Sequence, residues 1–308
     1  MQEISQTVKI SAEKKATVVS SSVAFLLTIL KLTVGILSGS VAVLASAVDS
    51  TLDMFVSLFN YFAISNSEKP ADETFNYGRG KIEALASVIE GTIITLSGIF
   101  LFYTAIKKYF TGETSAYLEE SLWVMIASLI ITIGLVIYLN IVAKKTNNMV
   151  IKADALHYKT DVWTNIAVLV SLVLVTFTNN EIFDVVIGGG ISLFIIYSAY
   201  ELIEDGVLVL LDRSLDDETT EDIKKIFKTE NAVNDFHFLK TRQAGHNTFV
   251  DVHLVFDCII TLMEAHKVSD RIEDKIKELN KETNWVINIH LDPYDDSVIN
   301  EGEHKHVY

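Results

Sequence analysis

The first two thirds of the chain contain several apolar stretches longer than the 18 residues that a helix needs to cross a bilayer. We read six spans, at residues 17–37, 41–63, 84–106, 121–143, 150–177 and 182–203. Half of the 308 residues are apolar and 21% are charged, which requires that the two kinds be segregated into a membrane part and an aqueous part. The sequence therefore predicts a multi-pass α-helical membrane protein with six transmembrane helices.

The positive charges between the spans predict the orientation. One set of connections carries nine Lys or Arg residues and the alternate set carries two. The nine are Lys9, Lys14, Lys15, Lys69, Arg79, Lys81, Lys144, Lys145 and Lys152. The first segment lacks the features of a cleavable signal. We therefore expect both termini to be cytoplasmic, in the inner (plasma) membrane.

The segment after Asp212 has a different pattern, since it shows helix, strand, strand, helix and strand periodicity in turn. This pattern predicts a small α+β domain. The expected organisation is 1–16 as an N-terminal cytoplasmic segment, 17–206 as the transport domain, 207–215 as a linker, 216–296 as the cytoplasmic domain and 297–308 as a flexible tail. The net charge of -15 argues against a nucleic-acid partner, and the lone Cys258 cannot form an internal disulfide.

Ionisable residues inside two of the spans are the strongest functional signal. Asp49 and Asp53 lie in the second span, and His157 and Asp161 lie in the fifth. Each pair is spaced i, i+4 and so shares one helical face. A rise of about 1.5 Å per residue places both pairs near mid-membrane, because the two helices run in opposite directions. Such groups are costly in lipid unless they are paired or hydrated, and helix-to-helix hydrogen bonding is the alternative to a binding role.

Three carboxylates and one imidazole suit Zn²⁺ better than Mg²⁺, Ca²⁺ or Cu(I). The ligand types are also compatible with Cd²⁺, Fe²⁺, Co²⁺ and Mn²⁺. Among the other intramembrane charges, Lys31 fits a snorkelling or helix-pairing residue. The role of Glu90 stays open between the ion path and a hydrated cavity, and Asp154 is expected near the inner mouth.

Several motifs together resemble the cation diffusion facilitator family of divalent-metal/proton antiporters, its bacterial zinc and iron efflux members above all. The resemblance extends from about Ala16 to Asp292. The motifs are SAVDSTLD, HYKTD, PAD with YGRGKIEALA, LLDRSL, TRQAG, HLV and IHLDP. It implies a ferredoxin-like (metallochaperone-like) cytoplasmic domain, a homodimer and protons as the counter-ion.

The resemblance also assigns residues. It implies a transport site of Asp49, Asp53, His157 and Asp161, an apolar gate at Leu156, and a charge interlock of Lys81 and Asp212 that helps to hold the protomers together. It places a cytoplasmic Zn²⁺ cluster at His237, His253, His266, His290 and Asp292, at the interface between two tail domains. Whether that cluster is regulatory or structural stays open.

One loop departs from the family pattern. Where many zinc members carry an Asp and two histidines between spans two and three, this chain has Asp72, Phe75 and Arg79. A phenyl ring cannot bind a metal and a guanidinium repels one, so we expect this auxiliary site to be missing.

The functional hypothesis is efflux of a divalent cation, Zn²⁺ before others, by alternating access in exchange for protons, with metal in the tail tuning activity. A passive channel or facilitator that moves Fe²⁺, Cd²⁺ or Mn²⁺ is the main alternative. A membrane hydrolase with catalytic zinc would additionally need an open water position and a general base, and we expect no enzyme activity.

Overall fold

The computed structural model describes residues 11–38, 41–111, 119–178, 182–281 and 283–295. Lys9, most of the expected N-terminal segment and the expected tail 297–308 lie outside these residues. The chain divides into two compact units, Met1–Val207 and Leu208–Tyr308.

Six long helices make up the first unit. They are α1 (Ala12–Ser38), α2 (Val41–Ser67), α3 (Lys81–Thr111), α4 (Glu119–Thr146), α5 (Met149–Thr178) and α6 (Ile182–Leu210). Most run past the ends expected from hydropathy, because a helix continues through its polar flanks after the apolar stretch stops. The last turns of α6 extend to Leu210, within the segment expected as a linker.

Within the described ranges, four helical segments are long and apolar enough to cross a membrane. They are Ala12–Leu37, Lys81–Lys107, Ile126–Thr146 and Val185–Leu210. Helices α2 and α5 fall outside that set, and they carry the acidic and histidine residues identified above, which lower mean hydropathy. Four candidate spans therefore have direct support, and the count of six stays a prediction.

The bundle packs through a buried cluster of mostly aliphatic side chains with one tyrosine, and through a close helix crossing at a glycine. Ala16, Ile64, Leu139 and Ile151 belong to one buried cluster, and the ring of Tyr158 on α5 is only 2% exposed within it. Helices α3 and α6 approach closely, since a Cβ added at Gly206 would lie 2.6 Å from Val88 Cγ2. Glycine at such a crossing allows two backbones to come together.

The second unit is an α+β fold around a three-stranded sheet. Its elements are α7 (Asp217–Thr229), β1 (Asp235–Ala244), β2 (Asn247–Val255), α8 (Leu262–Leu279) and β3 (Asn284–Asp292). The strand order is β1-β2-β3, antiparallel for the first pair and parallel for the second. Both helices cover the same core, which includes Ile223, Phe227, Val250, Leu254 and Ile272. Helix α8 begins with a capping box between Thr261 and Glu264, which satisfies backbone N–H groups at its first turn.

A bulge in β1 sets the sheet register. His237 pairs with His253, but Lys240 already pairs with Asp251, so β1 has one residue more than β2 between these positions. Phe238 lies in this bulge and has a positive φ of 51°, which is unusual for a bulky side chain. With regular pairing Phe238 would stand opposite His253, so the bulge is what aligns the two histidines.

Candidate metal centres

The first centre joins α2 to α5 inside the bundle. His157 Nε2 lies 3.1 Å from Asp53 Oδ1, and ligand atoms of Asp53, His157 and Asp161 all lie within 4.8 Å of one another. Oxygen and nitrogen atoms that share one tetrahedral Zn²⁺ at about 2.0–2.1 Å are about 3.3 Å apart. The three side chains therefore need only a small inward movement to share a cation.

The polar residues next to His157 and Asp161 form hydrogen bonds within their own helix. Thr160 Oγ1 donates to the carbonyl of His157, and Asn165 Nδ2 donates to the carbonyl of Asp161. These polar neighbours are thus satisfied by their own helix and do not occupy the imidazole or the carboxylates.

Asp49 lies at the edge of this centre. It lines the same cavity of about 680 Å³ as Asp53, His157 and Asp161, but it is not part of the group within 4.8 Å. It is also exposed, whereas the other three are half-buried. The structure therefore places Asp49 one turn from a tighter group of three.

Lys31 of α1 lines this cavity as well, beside the carboxylates. Its ammonium donates to Ser50 Oγ at 2.7 Å and approaches the carbonyl of Ser46 at 3.4 Å. A lysine that pairs helices was expected, but its place in the wall of the acidic cavity was not. Its position inside the first span marks Lys31 as a charge within the bundle, but depth alone does not say which cavity the side chain lines.

The residues expected as the apolar gate and the charge interlock lie at separate places in the chain. Leu156 is partly buried against the cluster of Ile94, Ala153, Ile195, Ala199 and Leu202. Lys81 begins α3. Asp212 follows α6 with a positive φ of 59°, and its Oδ1 accepts a hydrogen bond of 3.1 Å from Arg242 Nη1 in β1. Lys81 and Asp212 belong to different units, and their interlock stays a prediction.

The second centre is a row of histidines across the sheet of the second unit. His237 pairs with His253, and His253 pairs with His290, so the three side chains leave the same face of adjacent strands. Asp292, only 5% exposed, ends β3 beside them. Its Oδ2 lies 2.9 Å from His253 Nδ1 and 3.4 Å from His237 Nε2, and its Oδ1 lies 3.1 Å from His290 Nε2.

This arrangement fits a transition-metal ion. Ligand atoms of His237, His253 and Asp292 lie within 4.8 Å of one another, and imidazole with carboxylate is a donor set that Zn²⁺ accepts. A carboxylate that contacts one ring nitrogen also orients the other nitrogen toward a metal. Asp292 can therefore serve as a ligand or as the group that aligns the histidines.

His266 is not brought into this row. It lies on the exposed side of α8, and its Nε2 is 3.8 Å from Asp270 Oδ1. Within a single chain it is outside the group formed by the other four, and its role as a ligand stays a prediction.

The loop between α2 and α3 uses its acid internally. Asp72 accepts hydrogen bonds from the backbone N–H groups of Phe75 and Thr74 and from Arg79, and Arg79 also stacks over the Phe75 ring at 4.3 Å. These bonds, that from Phe75 first, hold the pKa of Asp72 below its usual range. The Arg79 guanidinium therefore occupies the position beside the Asp72 carboxylate in which a metal ion would have to bind.

Comparison with known proteins adds the wider context. Residues 17–211 match the family profile described as the cation efflux transmembrane domain, and residues 215–294 match that of the cation efflux protein, cytoplasmic domain. The cation-efflux pump FieF of Yersinia enterocolitica is 35% identical over 293 residues, which covers 95% of this chain and 96% of that protein. The pump of the same name from Klebsiella pneumoniae is 34% identical over 279 residues, covering 91% and 92%.

A solved structure described as the zinc form of the transporter CzrB is also similar in sequence. It is 28% identical and covers 27% of this chain and 92% of its own. Its TM-score of 0.25 carries no argument about the fold.

Proposed function

This chain belongs to the cation diffusion facilitator family, and we propose that it exports Zn²⁺ from the cytoplasm in exchange for protons. Members of this family move cations across a membrane, so the protein is a divalent-cation efflux transporter and not an enzyme. Its C-terminal unit is the cytoplasmic domain of that family. The identity of the ion, the proton coupling and the residues that carry both belong to the proposal.

The observation that carries the proposal is the group of Asp53, His157 and Asp161, whose ligand atoms lie within 4.8 Å of one another. It supports a transport site in which these three residues bind the cation and Asp49, on the same cavity, assists. Imidazole and carboxylate favour Zn²⁺ over Mg²⁺ or Ca²⁺. The same ligand types are compatible with Cd²⁺, Fe²⁺, Co²⁺ and Mn²⁺, and Fe²⁺, Cd²⁺ or Mn²⁺ is the main ion of the alternative, a passive channel or facilitator.

Proton exchange follows from what these groups can bind. A metal requires a deprotonated imidazole and ionised carboxylates, so metal and protons compete for the same atoms. Imidazole changes protonation near neutral pH. Protons taken up on the outer side would therefore displace the cation, and release of those protons on the cytoplasmic side would leave the ligands free to bind the next cation. Alternating access, with Leu156 as the apolar gate beside His157, would complete the cycle.

For the cytoplasmic domain we propose a regulatory zinc site in a homodimer. His237, His253, His290 and Asp292 supply the cluster, and His266 is the fifth member by resemblance. From Leu211 onward the chain has 21 Asp or Glu against 12 Lys or Arg, so two such domains repel at close range. Zinc would lower that repulsion and favour the closed dimer, which the pair Lys81 and Asp212 would help to hold together.

The membrane topology is part of the same proposal. We expect six spans in the inner membrane, both termini cytoplasmic, and the division into 17–206 for transport and 216–296 for the tail. Cys258 is exposed and is the chain's one cysteine. An impermeant maleimide should therefore label inside-out vesicles and spare right-side-out ones, and the reverse result would reject this orientation.

The test of function is transport into proteoliposomes for a panel of divalent ions, with and without a pH gradient. Zn²⁺ flux should depend on the gradient and should be lost in Asp53→Ala and His157→Ala. Flux that ignores the gradient would favour the passive channel. Variants that transport zinc at the parental rate would show that the site is wrongly assigned.

A further inference from the structure

A second polar cluster lies inside the helix bundle, one to two helical turns from the proposed transport site. Asn60 of α2, Glu90 of α3 and Asp154 of α5 are each at most 1% exposed. Asn60 Nδ2 donates to Glu90 Oε2 at 3.0 Å and to Asp154 Oδ1 at 3.3 Å. One amide thus stands between two buried carboxylates from different helices.

The cluster contains more acceptors than donors. Ser57 Oγ donates to Asp154 Oδ1 at 3.4 Å, and Ser20 of α1 also faces Asp154. Among the described residues, Asn60 Oδ1, Glu90 Oε1 and Asp154 Oδ2 are buried oxygens that make no hydrogen bond, and no Lys or Arg forms an ion pair with either carboxylate. Buried carboxylates left in this state are costly, which points to a positively charged ligand.

The distances from the Asn60 amide to the two carboxylates suit a cation bound between them. Rotation of the Asn60 amide by about 180° would place Oδ1 where Nδ2 now lies, and the orientation of an amide is set by its surroundings. That oxygen would then stand 3.0 Å and 3.3 Å from the two carboxylate oxygens. Oxygens around one small divalent cation at about 2.1 Å are about 3 Å apart.

The cluster also continues the line of the transport site. Asp53 of α2 contacts His157 of α5. Asn60 lies seven residues after Asp53, and it contacts Asp154, which lies three residues before His157. Helices α2 and α5 therefore run antiparallel here. The cluster therefore lies one to two turns from the transport site, toward the end of the bundle where α5 begins.

We propose that Asn60, Glu90 and Asp154 form a second cation-binding site, made only of oxygen ligands and selective for hard divalent cations such as Mn²⁺ or Mg²⁺. The transport site differs because its imidazole favours Zn²⁺. The place of this second site on the ion path rests on the proposed function, but its ability to bind a cation does not.

The test uses the full chain in nanodiscs with the other two centres removed by Asp53→Ala, His157→Ala, His237→Ala and His253→Ala. Electron paramagnetic resonance of added Mn²⁺ should show about one bound ion per chain, without nitrogen coupling. Glu90→Gln or Asp154→Asn should weaken binding at least tenfold. Glu83→Gln is the matched control, because Glu83 is a buried acid on the same helix that accepts from Ser67 Oγ. No bound Mn²⁺, or equal loss in the control, would overturn the proposal.

A second measurement needs no substitution at the cluster. Dicyclohexylcarbodiimide modifies buried carboxylic acids, and mass spectrometry can locate the adduct on Glu90. Mn²⁺ should protect Glu90 at least several-fold in the same background protein. Labelling that ignores Mn²⁺ would show that protons, and not a cation, occupy the pair. Both readouts are independent of zinc flux in the parent protein, so failure of the transport hypothesis would be seen separately.

Discussion

Lys31 Nζ donates a hydrogen bond of 2.7 Å to Ser50 Oγ, which fixes an ammonium group in the wall of the cavity that holds Asp49, Asp53 and Asp161. The lysine compensates part of the acidic charge. It also opposes any divalent cation that binds there, since like charges repel strongly where water is scarce.

Removal of that ammonium should strengthen zinc binding. For Lys31→Met we expect the dissociation constant at the transport site to fall roughly tenfold, equivalent to about 1.4 kcal/mol. Lys31→Arg retains the charge and is the matched control. Competition with a zinc dye, in a His253→Ala background that silences the cytoplasmic centre, measures both. Unchanged or weaker binding in Lys31→Met would show that the lysine does not oppose the cation.

The two aspartates of α2 should differ in importance. Asp53 belongs to the group within 4.8 Å and Asp49 does not, so Asp53→Asn removes a ligand while Asp49→Asn removes a neighbouring charge. We expect zinc affinity to fall at least 100-fold in the first and about tenfold in the second, the range typical of groups outside the inner ligand set. Equal losses would show that the bound state has four equivalent ligands.

The cytoplasmic centre should depend on Asp292. Its carboxylate faces all three histidines of the row. Asp292→Asn should therefore lower the bound zinc by about one ion per chain, while the site of Asp53 and His157 retains its zinc. Metal content by mass spectrometry after dialysis checks the count. Zinc flux of the variant should persist at low metal but lose its increase at high cytoplasmic zinc. A variant that retained its full metal content would rule out a role for Asp292 in binding.

The salt bridge of Glu230 predicts a pH dependence for the second unit. Arg271 and then Lys275, at 2.7 and 3.0 Å, hold the pKa of Glu230 below its ordinary value of 4.5. A depressed folded-state pKa contributes stability that is complete above the unfolded value and is lost as pH falls through the folded value. The Lys and Arg partners are about half exposed, so we expect only about 0.5–1 kcal/mol.

Amide hydrogen exchange in α7 and α8 of the full chain measures this effect. Glu230→Gln should speed exchange at neutral pH, and the difference from the parent should shrink as pH falls below about 4.5. Glu273→Gln is the control, because Glu273 pairs with Lys277 within one exposed turn of α8 and should change exchange little. A difference that persists unchanged at pH 3 would reject the assignment to this carboxylate.

The sequence predicts the helices and strands well because hydrophobic periodicity is local. The resemblance to cation-efflux proteins and the membrane character were likewise readable from motifs, and the family comparisons confirm them. Spacing placed Asp53 with His157, because two i, i+4 pairs at matched depth need only adjacent helices to meet.

Features set by long-range packing were not predictable. Asn60 carries no charge, so nothing in α2 marked it as the link between Glu90 and Asp154. The bulge at Phe238 has only a weak local signal: the adjacent apolar residues Phe238 and Leu239 interrupt the alternation of β1, but that break alone does not fix which residues pair across the sheet. Lys31 was read as a pairing residue because depth alone does not say which cavity a side chain lines.

The parallel pairing of β3 with β2 has a consequence for how the cytoplasmic centre arises. His290 and Asp292 reach the row only after α8 has crossed over and the last strand has docked, so a nascent or truncated chain ending before residue 284 has only half of the ligands. With the proposed zinc site in this row, metal capture would be tied to completed synthesis, and unfinished chains on the ribosome should be poor competitors for cellular zinc.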